Sequence, residues 1–182
     1  MSQPAGVLLN AENQSGPELP DPLAKDRVIQ APSAALYFAA MGATDVEAVV
    51  AVENDVYPFP WTRGNFLDSL MSAHQSWVMR EADGRLAGYF LQLPMVDESH
   101  LLNITVRPDV QGLGMGRRLL DHAIQLARTA GMQSMLLEVR PSNQKALAVY
   151  AHVGFIRIGV RKNYYPAAAN TREDAIVMRL PL

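Results

Sequence analysis

The chain has 182 residues, 49% of them hydrophobic, and a formal net charge of −2 at pH 7. These values predict one folded domain with a substantial core, and they give no basic footprint of the kind that nucleic-acid-binding proteins carry. The chain contains no cysteine, which excludes disulfides, thiolate catalysis and cysteine-ligated zinc and fits a reducing compartment.

Membrane, secretory and metal-binding signals are also missing from the sequence. No apolar run approaches the ~20 residues that a membrane helix needs, and the first residues lack the basic start and apolar core of a secretory signal. The histidines, at positions 74, 100, 122 and 152, show no metal-ligand spacing. We therefore expect a cytoplasmic protein that holds no metal and binds neither a membrane nor nucleic acid.

Residues 1–34 are predicted to form a flexible tail, because prolines punctuate a stretch of Gly, Ser, Asn and acidic residues. The folded domain is predicted over residues 35–182. Thr44 and Glu47 have the spacing of a capping box and are predicted to begin the first helix.

Hydrophobic periodicity and breaker residues define the elements of this domain. The predicted strands cover residues 36–40, 75–80, 85–94, 98–106, 135–140, 155–162 and 175–180, and the predicted helices cover 44–54, 62–73, 118–130 and 142–152. Ser142 is the predicted cap of the last helix, and a loop over 164–174 joins the last two strands. The order predicts an α/β fold with a central mixed, mostly antiparallel, twisted sheet and helices on both faces. The unit over 101–140 requires a parallel strand pair.

A glycine-rich turn follows the strand that ends at Val106. Gly112, Gly114 and Gly116 leave the backbone bare where the next helix begins. Free N–H groups and the positive end of the helix dipole suit a phosphate or pyrophosphate at such a turn. No Gly-Lys-Ser/Thr follows, which excludes a Walker A loop, and the GxGxG spacing does not fit the dinucleotide-binding fingerprint. A plain tight turn is the alternative interpretation.

The pattern Gln-x-x-Gly-x-Gly after Val-x-Pro resembles the acetyl-CoA loop of the GNAT acetyltransferases. The resemblance extends from about Leu36 to Leu180 and narrows to the RimI-type group, which acetylates the N-terminal alanine of a small-subunit ribosomal protein. It is carried by Phe59-Pro60-Trp61, Asn103 to Pro108, Gln111 to Arg117, Leu137 to Arg140, Ser142-Asn143, Tyr150, Gly154-Phe155, Arg161 to Pro166 and Arg172 to Ile176. The segments in the last third of the chain are the specific ones. The resemblance implies the GNAT fold and acetyl-CoA as co-substrate.

The resemblance also implies which residues contact acetyl-CoA. The implied set is Ile104, Thr105 and Val106 for the pantetheine arm, Gly112, Leu113, Gly114, Met115, Gly116 and Arg117 for the pyrophosphate, and Asn143. An extended arm rich in amides can pair with a free strand edge as an added strand would. From the residues alone, an ordinary core strand, a solvated Arg117 and a capping Asn143 stay open as alternatives. Gly112 and Leu113 replace the more polar residues common in the family.

Glu138 and Tyr150 match the family's general base and general acid. An α-amino group has a pKa of about 7.7–8.0, so it must lose a proton before it attacks a thioester. The departing thiolate needs a proton, which a phenol can donate. The alternatives are a Glu138 that pairs with Arg140 on the same strand face and a Tyr150 that packs in the core. Because the chain has no cysteine, the acetyl group is expected to pass directly to the amine.

The resemblance further implies that two aromatic clusters wall the entrance for an acceptor peptide, a use to which aromatic side chains are suited. They contain Phe59 and Trp61 in one loop and Tyr164 and Tyr165 in another. The resemblance implies the N-terminal peptide of a ribosomal protein as acceptor, whereas loop anchoring is the alternative for these aromatics. Acetylation of another amine, such as a lysine side chain, a polyamine or an antibiotic, also stays open. So does a non-catalytic acyl-CoA-binding module, although such a module would lack the acid and base. The sequence predicts no particular oligomeric state.

Overall fold

The computed structural model describes residues 36–182, so the predicted tail lies outside the described residues. Within residues 36–182, the elements follow in the predicted order. The strands are β1 Leu36–Ala40, β2 Gln75–Glu81, β3 Leu86–Pro94, β4 Glu98–Val106, β5 Ser134–Val139, β6 Ile156–Pro166 and β7 Arg172–Pro181, and the helices are α1 Val46–Val56, α2 Arg63–Leu70, α3 Met115–Thr129 and α4 Gln144–Val153. None of these helices is long and apolar enough to span a membrane.

The strands form one mixed sheet in the order β1-β2-β3-β4-β5-β7-β6. Every neighbouring pair is antiparallel except β4 and β5, which run parallel on either side of the α3 crossover. The prediction of a mixed, mostly antiparallel sheet is therefore confirmed. The parallel pair is the one that the strand-helix-strand unit required.

Strands β4 and β5 pair over only part of their length. Their ladder runs from Glu98 opposite Ser134 to Leu101 opposite Leu137, and no further pairs follow. β4 nevertheless stays paired with β3 as far as Val106, and β5 stays paired with β7 as far as Val139. Residues 102–106 and 138–139 thus border an opening in the sheet, which we call the β4–β5 gap.

Helices cover both faces of the sheet, as predicted. On one face, α3 and α4 bury an apolar stripe against the inner residues of β4 and β5. On the other face, α1 and α2 pack against β2 and β3. The first cluster includes Leu119, Leu120, Ala123, Tyr150, Ile104, Val106, Met135, Leu137 and Val139, and the second includes Val49, Val52, Val56, Trp61, Phe66 and Tyr89.

Both predicted caps, on α1 and on α4, are wrong. Ahead of α1, the carboxylate of Asp45 accepts the N–H of Gly42 at 2.8 Å, and Glu47 pairs with Arg63 at 2.6 Å. At α4, the side chain of Asn143 accepts the N–H of Ala146 at 3.2 Å, so Asn143 and not Ser142 is the cap. At both helices a second residue with capping ability lies next to the predicted one, and the alternative interpretation of Asn143 as a helix cap is confirmed.

Two predicted boundaries move because their loops are shorter than expected. Helix α3 begins at Met115, so the second half of the glycine turn is its first turn. The β6–β7 loop is limited to residues 167–171, which places Tyr164 and Tyr165 on strand β6 rather than in a loop. The Arg172 guanidinium holds this hairpin, because it donates to the carbonyls of Asn163 and Tyr164 at 2.6 Å each.

Gly88 permits the close packing of β3, β4 and α3. A Cβ at Gly88 would lie 2.5 Å from the carbonyl oxygen of Thr105 and 2.8 Å from Cδ1 of Leu119.

Urea denaturation of Gly88→Ala tests this packing. We expect the substitution to lower the free energy of unfolding by about 1–3 kcal/mol, because it overpacks the core. Gly159→Ala on β6 is the matched control, since no heavy atom lies within 4 Å of its Cβ position. Equal stability of the two variants would contradict this account.

Candidate active site

The glycine turn presents the N-terminus of α3 to an open cavity. Gly112 and Gly114 have φ values of +77° and +80°, which side chains rarely adopt. The first helical hydrogen bond runs from the N–H of Arg118 to the carbonyl of Gly114 at 3.2 Å. The N–H groups of the preceding turn therefore point along the helix axis without a helical acceptor, and the helix dipole adds positive potential there. This geometry can hold an anion.

The cavity at this turn connects it to the β4–β5 gap. Its volume is about 230 Å³, and it is lined by Val106, Gln111, Gly112, Gly114, Gly116, Arg117 and Val149. The Gln111 amide donates to the carbonyl of Val106 at 2.9 Å and so fixes the turn to the end of β4. Arg117 also pairs with Asp121 at 2.8 Å on the exposed side of α3.

The side chains of the strand predicted to hold the pantetheine arm are buried. Ile104 and Val106 belong to the core beneath α3, whereas Thr105 is buried on the opposite face. The contact left to a ligand is the backbone edge that faces the β4–β5 gap. An extended ligand can add to such an edge. Asn143, which caps α4, is buried as well.

Glu138 is a buried carboxylate with two partners. Its side chain is 3% exposed, and it projects from β5 on the face opposite α3, because Leu137 and Val139 fill the α3 side. One carboxylate oxygen lies 2.9 Å from Nη1 of Arg161, and the other is hydrogen-bonded to Nε2 of His100.

The predicted alternative, a pair between Glu138 and Arg140, is wrong. The Arg140 guanidinium lies 3.1 Å from the carboxylate of Glu173 and 4.3 Å from the centroid of the Tyr165 ring. Residues two apart on a strand share a face, but Arg140 extends toward β6 and β7 instead of back along β5. Glu138 is therefore left to partners from β4 and β6.

Tyr150 enters the same region from α4, on the other face of the sheet. Its ring packs edge-on against Phe155 at 5.6 Å, and its hydroxyl has no hydrogen-bond partner among residues 36–182. Burial raises the pKa of Tyr150 well above the ordinary value, and the nearby hydroxyls of Tyr57 and Tyr165 contribute to this shift. Tyr57 follows α1 on the opposite face of the sheet, where it belongs to the second core cluster.

The four aromatic residues predicted to wall the acceptor entrance differ in exposure. Phe59 is 39% exposed, whereas Trp61 and Tyr165 are buried. Trp61 packs on Phe66 at 5.4 Å and anchors its loop in the core. Tyr164 is half-buried, and its pKa is raised to about 12 by burial and by the negative charge of Glu138. Phe59 and Tyr164 thus keep open surface, while the other two anchor.

Comparisons with known proteins agree with this arrangement. The model of the acetyltransferase (GNAT) family matches residues 46–155. The chain belongs to the GNAT family. It is 38% identical to the [ribosomal protein bS18]-alanine N-acetyltransferase of Salmonella typhimurium, over 78% of this chain and 95% of that protein. It is 37% identical to the protein of the same name from Escherichia coli strain K12, over 76% of this chain and 93% of that protein.

Solved structures confirm the GNAT fold. The crystal structure of the ribosomal-protein-S18-alanine N-acetyltransferase from Escherichia coli superposes with a TM-score of 0.75 at 35% identity, over 81% of this chain and 94% of that one. Ard1 from Thermoplasma volcanium gives a TM-score of 0.71 at 23% identity, which supports the fold alone. The Escherichia coli structure and the two relatives above confirm the resemblance to the RimI-type group.

A buried polar network in this GNAT domain was not predicted. The hydroxyl of Tyr57 bonds to that of Thr105 at 3.0 Å, and Thr105 donates to Asn103 at 3.0 Å. The Asn103 amide reaches the carboxylate of Glu53 at 3.4 Å. The chain of contacts joins α1 to the part of β4 that borders the gap.

Glu53 is the centre of that network. It accepts the N–H of Trp61 at 2.9 Å and the hydroxyl of Tyr89, and it has no exposed surface. Burial raises the pKa of Glu53, and its hydrogen bonds oppose that rise. The sequence held one signal for it: Glu53 falls four residues after Val49, on the apolar stripe of α1.

Removal of Glu53 tests how much the network stabilises the fold. Glu53→Ala leaves the donors of Trp61 and Tyr89 without an acceptor in the core. We expect a loss of about 3 kcal/mol in the free energy of unfolding, measured by urea denaturation. Glu47→Ala on the same helix is the control, because its exposed pair with Arg63 contributes at most about 1 kcal/mol. A smaller loss for Glu53→Ala than for Glu47→Ala would contradict this role.

Proposed function

We propose that this chain transfers the acetyl group of acetyl-CoA to the N-terminal α-amino group of ribosomal protein bS18, the acceptor named for its relatives. One observation carries the proposal. The cavity at the α3 N-terminus reaches the end of β4 at Val106, while Glu138 borders the β4–β5 gap on one face of the sheet and Tyr150 is buried on the other. A ribosomal-protein acceptor also implies a cytoplasmic location.

The residues around the gap fit acetyl-CoA, which supplies the activated acetyl thioester. The backbone N–H groups from Gly112 to Arg117, including those of Leu113 and Met115, suit its pyrophosphate. The open backbone edge of residues 104–106 suits the amides of its pantetheine arm. Asn143 lies at the start of α4, and its side-chain oxygen is used for capping.

Glu138 is proposed as the base, directly or through one water. The acceptor ammonium must lose a proton before its nitrogen can attack the thioester. Arg161 neutralises part of the charge of Glu138, and Tyr164 lies close enough for its hydroxyl to respond to that charge. The open surface of Tyr164 and Phe59 thus lies on the side from which we propose that the peptide enters, with Trp61 and Tyr165 as anchors beneath.

Tyr150 is proposed as the acid. Because burial raises its pKa, the phenol keeps its proton at neutral pH and is available as a donor. The same burial makes it a weak acid, so donation must accompany cleavage of the C–S bond, when negative charge builds on sulfur in a site with little water. The hydroxyl has no competing acceptor among residues 36–182.

Peptides with free and blocked N-termini test the acceptor. We expect acetylation of an alanine-initiated peptide with a free N-terminus, and little acetylation of the blocked peptide that carries an internal lysine, as measured by mass spectrometry. Glu138→Gln and Tyr150→Phe should each lower kcat on the order of a hundredfold. Glu47→Gln and Tyr37→Phe, both at exposed positions, are the matched controls.

Two results would contradict the proposal. Equal acetylation of the blocked peptide would favour a lysine acceptor. Wild-type rates in both Glu138→Gln and Tyr150→Phe would contradict the assignment of Glu138 as base and Tyr150 as acid.

Arg117 tests the pyrophosphate site. Arg117→Ala should raise the KM for acetyl-CoA about fivefold, which corresponds to about 1 kcal/mol for a half-exposed charge contact, with kcat unchanged. Arg118→Ala is the control, because Arg118 is exposed and does not line the cavity. Equal KM values for the two variants in steady-state kinetics would argue that the backbone alone holds the phosphate groups.

A further inference from the structure

His100 is an imidazole side chain in direct contact with the proposed base, Glu138. It lies on β4 opposite Leu136, in the last part of the ladder before the β4–β5 gap. Its Nε2 is hydrogen-bonded to Glu138. The His100 side chain is 16% exposed, whereas that of Glu138 is 3% exposed, so the imidazole has the better access to water.

Arg161 decides where a proton can rest in this cluster. A guanidinium stays protonated in proteins and cannot accept a proton. At 2.9 Å from Glu138, it stabilises the negative carboxylate. A proton placed on Glu138 would therefore weaken the ion pair with Arg161. A proton placed on His100 keeps that ion pair and converts the existing hydrogen bond into an imidazolium–carboxylate pair.

Imidazole is also the side chain that suits this task chemically. It is the one whose charge ordinarily changes between pH 5 and pH 8, and the pKa of an α-amino group, about 7.7–8.0, lies at the upper end of that range. Two tyrosines also sense the charge of Glu138 and keep their protons: the pKa of Tyr164 is raised to about 12, and burial and Glu138 raise the pKa of Tyr165 well above the ordinary value. Among these side chains around Glu138, His100 is the one with a ring nitrogen that can accept a proton.

We propose that Glu138 and His100 act as one proton-accepting pair, in which the proton taken from the substrate ammonium comes to rest on His100. The N–H bond of the ammonium breaks, and an N–H bond forms on the imidazole, with a water as carrier where the two are not in contact. Glu138 remains a carboxylate that orients the imidazolium, which then releases the proton to solvent. This inference rests on the proposed acetyl transfer and assigns a role to a residue that the sequence pattern did not single out.

The variant His100→Gln separates proton transfer from hydrogen bonding. Its amide N–H₂ can still donate to Glu138, but it has no basic nitrogen. We expect kcat with the alanine-initiated peptide to fall on the order of a hundredfold, while the KM for acetyl-CoA and the thermal unfolding midpoint stay near the wild-type values. His152→Gln, at an exposed position on α4, is the matched control and should keep the wild-type kcat.

Chemical rescue gives a readout that a purely structural role would not move. Added imidazole should restore kcat in a folded His100→Ala variant in proportion to its concentration, and should not restore it in Glu138→Gln. Reactions with imidazole and no protein, and with His152→Gln, correct for direct attack of imidazole on the thioester.

The outcomes separate this pair from the proposed function. A wild-type kcat for His100→Gln overturns the pair, and so does a defect confined to the KM for the peptide or a folded His100→Ala that imidazole leaves inactive. If Glu138→Gln is impaired in that case, the acetyl transfer and its base stand. Failure of the wild-type protein to acetylate any free N-terminus would instead overturn the proposed function itself.

Discussion

The separation of β4 from β5 is the constraint on which the rest of this structure depends. Their ladder ends at Leu101 and Leu137, although both strands continue. The opening frees one backbone edge of β4. In a fully paired sheet, β5 would cover that edge.

Beyond Leu101, β4 has no ladder with β5, so other contacts must hold the end of β4 in place. On one side of β4, Gly88 allows β3 and α3 to pack against its end at distances that exclude a side chain. On the other face, Glu53 gathers Trp61, Tyr89 and Asn103 around one buried carboxylate. The cost of burying that charge is offset by its several donors. The end of β4 is thus fixed by β3 and the helices instead of by β5.

The element order and the glycine turn could be predicted because both depend on local patterns. Period-2 and period-3.6 hydrophobicity and the breakers Gly131 and Gly154 act over a few residues. The caps could not be chosen, because Thr44 and Asp45 are neighbours with similar capping ability. The extension of β6 past Tyr164 was missed because it depends on Arg172, which closes the hairpin from β7.

The candidate site was predictable to the extent that the family motif is contiguous in sequence. The proposals for Glu138 and Tyr150 come from that resemblance. His100 lies 38 residues from Glu138 and meets it only through the register of a parallel pair, which no local pattern specifies. Glu53 differs from His100 in this respect, because a charged residue on the apolar stripe of α1 is visible in the sequence.

The sheet also gives the two proposed proton-transfer residues opposite environments. Tyr150 lies on the α3 and α4 side among apolar residues, where the absence of a hydrogen-bond partner among residues 36–182 and the cost of burying a charge favour the neutral phenol. Glu138 lies on the other face, 2.9 Å from the Arg161 guanidinium and hydrogen-bonded to His100. A general acid and a general base need different surroundings. The sheet separates the surroundings of the two proposed groups, and the β4–β5 gap is the opening through which we propose that both reach one substrate.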